Sequence, residues 1–241
     1  MARLPRLTLP GMPHYVIHRG NNQQDIFLDE QDYSTMKDLM REMSRRFQVD
    51  IHAYVLLPNQ FHALAMPEQE QSLPMFMQSL GRSYVRYFNN RHGRSGTLWE
   101  GRYRCTVLDA PSFLLASMVV LENQPVVSGL VGRPQDYVWS SCAHNTGLKQ
   151  DSLVRSHPAY WALANTPFAR EAAYTRALEQ GVGQGLSEEV LSAASKGWAL
   201  GDADFVKNLQ QNTERRVSRR RPGRPVQVEA VAAQPNAEPN F

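Results

Sequence analysis

The chain is short of cysteine, of long apolar runs, and of acids where its arginines cluster. Among 241 residues there are two cysteines, Cys105 and Cys142, far apart in sequence. That spacing excludes a zinc knuckle and a disulfide framework, and the low count fits a reducing cytosol. No apolar run approaches the roughly 20 residues needed to span a bilayer. The opening residues, Met1-Ala2-Arg3-Leu4-Pro5-Arg6, lack the apolar core of a secretory signal. The sequence therefore predicts a cytoplasmic protein without a membrane partner. No internal repeat occurs.

The missing acids are more informative. Between Arg82 and Arg104 there are six arginines and one acid, Glu100, a local charge of +5. Between Arg215 and Arg224 there are six arginines and no acid, a local charge of +6. The whole chain carries only +3, so its remainder is net acidic. Two separate basic blocks suit a polyanion, and nucleic acid is the natural one. A hydrophobic content of 42% supports a sizeable core.

Hydrophobic periodicity orders the first part of the chain. Residues 13–19 read as a strand, broken at Gly20-Asn21-Asn22. Residues 32–47 read as a helix, because Tyr33, Met36, Leu39, Met40 and Met43 recur at three- and four-residue spacing. Strands follow near 50–57 and 61–66, joined at Pro58-Asn59, then a helix over 73–90, a basic loop at 91–96, a strand over 98–108, and a helix over 112–124 ended by Pro125. The order strand, helix, strand, strand, helix, strand, helix is that of an α+β, ferredoxin-like antiparallel sheet (split βαβ) with helices on one face. Its other face would then be free for a ligand. A C-terminal helical extension covers 146–212, with Gly197 to Asp202 placed as in a helix-turn-helix; a small packing domain is the plainer alternative. Residues 213–241 form a basic segment and a tail rich in Ala, Pro, Asn and Glu, the composition of a disordered segment.

One short motif carries chemistry. Pro58-Asn59-Gln60-Phe61-His62 lies at the entry to a strand, where residues two apart share a face. Two histidines at positions 60 and 62 would offer two imidazoles to one cation. Here the first is Gln60, and only His62 remains.

Taken together, this motif, the stretch Gly93-Arg94-Ser95-Gly96-Thr97-Leu98-Trp99-Glu100-Gly101-Arg102-Tyr103, the stretch Gln124-Pro125-Val126-Val127-Ser128-Gly129-Leu130-Val131, and Tyr137-Val138-Trp139-Ser140-Ser141 resemble the single-tyrosine HUH transposases, in their REP-associated branch. The resemblance covers about residues 1–145 and implies a transposase-like domain there. It implies cleavage and joining of single-stranded or hairpin DNA by a tyrosine that attacks a phosphodiester, assisted by a divalent cation such as magnesium or manganese. It places the nucleophile at position 120 and a third, amide ligand at position 124. The chain departs from that pattern twice. Gln60 stands where the first histidine belongs, and Val120 has no atom that can attack phosphorus. His62, Gln60 and Gln124 are then the candidate metal ligands, a weak set built on amide oxygens, with a histidine hydrogen-bonded on the sheet as the alternative. No catalytic residue is assigned.

Arg19, Arg82, Arg86, Arg91, Arg94, Arg102 and Arg104, interleaved with Trp99, are the candidate DNA contacts; a solvated charged face is the alternative. Arg221 and Arg224 belong to an Arg-Pro-Gly-Arg-Pro run resembling an AT-hook, or else to a nonspecific basic linker. Tyr84 and Tyr87 sit at a spacing of buried packing or base stacking. The expectation is a DNA-binding protein on a transposase fold with an impaired active site. The alternatives are an active transposase using another tyrosine and a modified metal site, and a decaying copy. No feature specifies the oligomeric state.

Overall fold

The computed structural model describes residues 6–218. Four strands, β1 (His14–Arg19), β2 (Val49–Leu57), β3 (Gln60–Pro67) and β4 (Arg104–Val107), form one sheet in the order β2-β3-β1-β4. Every pairing is antiparallel. Between β1 and β2 runs α1 (Glu30–Phe47), and between β3 and β4 runs α2 (Ser72–Arg91). This is the expected split βαβ sheet with two helices on one face.

Helix α1 starts where Asp29 accepts from the amides of Gln31 and Asp32, satisfying donors that have no partner inside the helix. It ends at Gln48 in the left-handed region, φ 54°, with Arg45 and Arg46 in the last turn complementing the helix dipole. It buries Met36, Met40 and Met43; α2 buries Phe76, Met77, Leu80, Tyr84 and Phe88. With Val16, Tyr54, Phe61 and Ala63 from the sheet they make the first core.

The other face of the sheet is not free. Helix α3 (Ala110–Glu122) packs there on β2 and β3, and the extension packs beside it. The short turns α4 (Gln124–Val127), α5 (Cys142–Asn145) and α6 (Pro158–Trp161) lead to α7 (Pro167–Gln180), α8 (Gln184–Lys196) and α9 (Ala203–Gln211). Tyr15, Ile17, Val55, Leu64, Val120 and Leu121 share a second core with Tyr174, Leu178, Val190 and Ala194. The apolar stripes of α7 and α8 need a partner surface, and this face supplies it. A ligand must therefore approach elsewhere.

Three local expectations change. The strand expected over 98–108 pairs only from Arg104 to Val107. Residues 98–103 leave the sheet because Trp99 turns inward, stacking on His18 at a 4.0 Å centroid distance and donating its indole N–H to the Gly81 carbonyl. Gly101, at φ 64°, takes the reversal. The segment between α8 and α9 is no helix-turn-helix corner: the Leu200 amide donates to the Val107 carbonyl and the Asp109 amide to the Leu200 carbonyl, which ties it along β4. Pro125 does not end a helix. It sits inside α4, two residues after the break at Asn123. Among the described residues no helix is long and apolar enough to cross a membrane. The basic run with Arg221 and Arg224, and the tail, lie outside the described residues.

Candidate functional site

On β3, Gln60 and His62 point to the α3 side, as the two-residue period requires. Pairing with β1 sets Arg19 opposite Gln60 and Ile17 opposite His62, with Tyr15 two residues further along. Cross-strand neighbours at this range interact. The Arg19 Nε–H donates to Gln60 Oε1 at 2.9 Å. The Tyr15 hydroxyl lies 2.9 Å from His62 Nδ1. Arg19 keeps this register because Gly20 follows it: a Cβ there would run into the Gln24 carbonyl, so the chain turns closely at that point.

His62 is buried, and its Nε2 has no partner among the described residues. Burial and then the nearby Arg19 charge lower its pKa to about 3, so the ring is neutral at ordinary pH. Val120 packs into the second core at 3% exposure. Gln124 is buried, and its amide N–H donates to the Val120 carbonyl at 3.0 Å. A neighbouring residue that the sequence reading passed over is Glu122. Its carboxylate is fully buried and accepts from Ser141, Asn145 and Tyr174 at 2.5, 2.7 and 2.8 Å. Burial raises its pKa to about 7 against those three hydrogen bonds.

The donor set does not fit a firmly held divalent cation. In favour stands one observation, the orphaned Nε2 of His62, which is free to ligate if Nδ1–H donates to Tyr15. Against it, Gln60 Oε1 is occupied by a guanidinium, and neither remaining ligand is anionic. Among the described residues no group of three or more His, Cys, Asp or Glu could hold a metal. A hard cation needs carboxylate charge to offset its dehydration, and here a fixed positive charge already sits beside the ring.

The candidate DNA contacts divide into several groups. Arg82, Arg86 and Arg102 line one groove of about 740 Å3 between α2 and the 99–103 segment, with Arg6 at its end. None of the three has an ion-pair partner among the described residues. Trp99 forms part of the wall but is only 7% exposed, so it packs there rather than offering an open ring face. Arg91 is committed elsewhere, bridging Asp29 and Asp32 at 2.6–2.7 Å. Asp32 itself is fully buried. Burial pushes its pKa up, yet the Leu28 amide, His92, Arg91 and Tyr87 outweigh that, and the net shift is downward. Arg94 donates to Gln24 Oε1, and Arg104 pairs with Glu100 at 3.4 Å.

Tyr84, Tyr87 and Tyr103 make their contacts with groups other than His62. Tyr84 donates to the Ile26 carbonyl and Tyr87 to Asp32. Tyr103 lies under the Arg6 guanidinium, 3.8 Å from its ring centroid. The tyrosine that does reach His62 is Tyr15, which sequence reasoning missed; strand pairing alone reveals it. It is 0% exposed, and burial raises its pKa far above the ordinary value.

The sheet order, the two helices over one face and the β3 imidazole define an α+β protein of the split βαβ class. Residues 12–115 match the sequence profile of the family described as Transposase IS200 like. Through this domain the chain is similar to the IS200-like transposases. Its fold resembles that of a REP-associated tyrosine transposase bound to a REP hairpin, with TM-score 0.51 and 16% identity, covering 65% of this chain and 99% of that one. A protein from Deinococcus radiodurans R1, proposed to be a transposase, aligns at 15% identity and TM-score 0.36, covering 54% of this chain and 98% of that one. No curated relative matches the sequence.

Proposed function

We propose that this protein binds single-stranded or hairpin DNA on an IS200-like domain and does not cut it. The observation that carries the reading is Val120. At the position the family resemblance assigns to the nucleophile stands an apolar side chain, 3% exposed and packed into the core. Nothing there can attack phosphorus. Gln60, in place of the first histidine, holds a guanidinium instead of a cation. The groove carrying Arg82, Arg86 and Arg102 supports retention of DNA binding, since its lining contains no acid.

One observation favours an active enzyme: the Tyr15 hydroxyl beside His62. Both side chains are enclosed, at 0% and 2% exposure, so a phosphodiester reaches them only if the β1–β3 face opens. Burial also disfavours the phenolate that would attack.

Labelled single-stranded hairpin DNA, incubated with the protein and magnesium or manganese, tests this. The expected result is a retarded complex that denaturation dissolves completely. A covalent adduct surviving denaturation overturns the non-cutting reading, and its loss in Tyr15→Phe would identify the nucleophile. Gln60→His alone restores no cleavage, whereas Gln60→His with Val120→Tyr returns the missing side chains.

A further inference from the structure

The basic groove does not end at Arg102. Arg6 and Arg102 line both it and a smaller cleft of about 210 Å3, whose far wall is the C-terminal extension, with Lys196 and Trp198, together with Arg215 just beyond it. Among the described residues no aspartate or glutamate lines either cavity. The other large cavity, about 710 Å3 near the end of α1, differs: there Asp50 and Glu68 share the walls with Arg45 and Arg155.

The extension is fastened where it faces the cleft. Thr106 donates its hydroxyl to the Trp198 carbonyl, the Leu200 amide bonds the Val107 carbonyl, and the Ala199 amide bonds the Val217 carbonyl. The two cavities therefore keep a fixed relation along the outer side of β4. Arg215 donates from Nη2 to the Gly197 carbonyl at 2.6 Å, while its buried Nε has no partner among the described residues. Among the described residues no carboxylate pairs with it. Burial accordingly lowers its pKa. A desolvated cation without a counter-charge is costly, and an arriving anion offsets that cost. Lys196 is exposed at the rim and bonds only the Ser192 hydroxyl.

We propose that the C-terminal extension completes a track for single-stranded DNA. Phosphates run from Arg82 and Arg86 on α2, past Arg102, to Lys196 and Arg215. The inference rests on the DNA-binding reading above and assigns the extension a share in it. The cavity volumes suit individual nucleotides rather than a turn of duplex, and Met75 (48% exposed) and the half-buried Trp198 give bases something to pack on beside the cations.

Fluorescence anisotropy with a labelled single-stranded oligonucleotide, titrated against the full chain at several salt concentrations, tests the track. Each phosphate contact on a single strand contributes about 0.7 to the slope of log affinity against log salt. Lys196→Gln, at an exposed position that leaves the fold intact, lowers that slope by about one contact, as Arg82→Gln does. Adding Arg215→Gln lowers it by about one more. Arg46→Gln, which removes the same charge from the exposed end of α1, leaves it unchanged. A wild-type slope in Lys196→Gln beside a reduced slope in Arg82→Gln overturns the inference and leaves the DNA-binding reading standing. Equal loss in Arg46→Gln and Lys196→Gln also overturns it, by showing a diffuse charge effect. Duplex of the same sequence bound as tightly overturns the single-stranded commitment. Failure of the wild-type chain to bind any oligonucleotide sinks both readings.

Discussion

The neighbourhood of His62 and the groove beside α2 treat polar groups in opposite ways. Around His62 most are matched inside the protein, the Nε2 of His62 excepted: Arg19 to Gln60, Tyr15 to His62, Gln124 to the Val120 carbonyl, and Glu122 to three donors. The groove is lined by Arg82, Arg86 and Arg102 and, among the described residues, by no acid. Matched buried polar groups specify structure, since each unpaired one would cost the fold free energy. Unmatched cations at a surface cost little in water and are available to an outside anion. On the proposed reading, the His62 region serves the scaffold and the groove serves a partner.

The largest effect expected from this contrast is on stability. Glu122→Ala strands the Ser141, Asn145 and Tyr174 donors and should cost about 3 kcal/mol or more in chemical denaturation. A loss below about 1 kcal/mol would mean that the region is not internally matched. The same carboxyl has a sign to test. Its folded pKa, about 7, lies above the ordinary 4.5, so its contribution is fully present below pH 4.5 and is lost as pH rises through 7. The stability of wild type relative to Glu122→Gln should therefore fall across that window. Taking the difference removes the opposite trend from His14 and His62, whose depressed pKa values destabilise the fold as pH falls below 6.5.

Val120→Tyr comes next. Forcing a phenol into a site with 3% exposure overpacks the second core and should cost about 1–3 kcal/mol by thermal or urea unfolding. A neutral result would show a cleft at α3 still shaped for the lost side chain.

The groove is tested by Arg82→Gln with Arg86→Gln. Affinity for single-stranded DNA should drop about tenfold at moderate salt, while Gln60→Ala leaves it near wild type. The reverse ranking would move the binding surface to the His62 region. Smallest of all is the response to chelation. With Arg19 holding Gln60 and the Glu122 carboxylate committed to three donors, EDTA at constant ionic strength should not weaken DNA binding. A clear loss would reveal a cation that His62 helps to hold.

Much of the frame was legible before the structure. Strand and helix periods located β1, α1, β2, β3 and α2 within a few residues, because each element buries one face in a repeating pattern. The departures at Gln60 and Val120 were visible as substitutions in ordered motifs. The strand at 98–103 misled because its apolar residues point into a loop's own packing, where Trp99 meets His18 from 81 positions away. The arginines misled in another way. Arg82, Arg86 and Arg91 look alike along α2, yet Arg91 finds Asp29 and Asp32 across the α1–α2 contact, while the other two have no ion-pair partner among the described residues.

The amino-acid order by itself determined the split βαβ sheet, the resemblance to the transposases, the valine at position 120 and the concentration of positive charge. These follow from local period and residue identity. Tertiary structure decided which charges remain open, that Tyr15 meets His62, that the sheet's second face is covered, and that Lys196 and Arg215 lie on the rim of the same basic surface as Arg102. Each of those depends on side chains dozens of residues apart being brought within a few ångströms. That proximity is set by how the sheet pairs and what packs upon it.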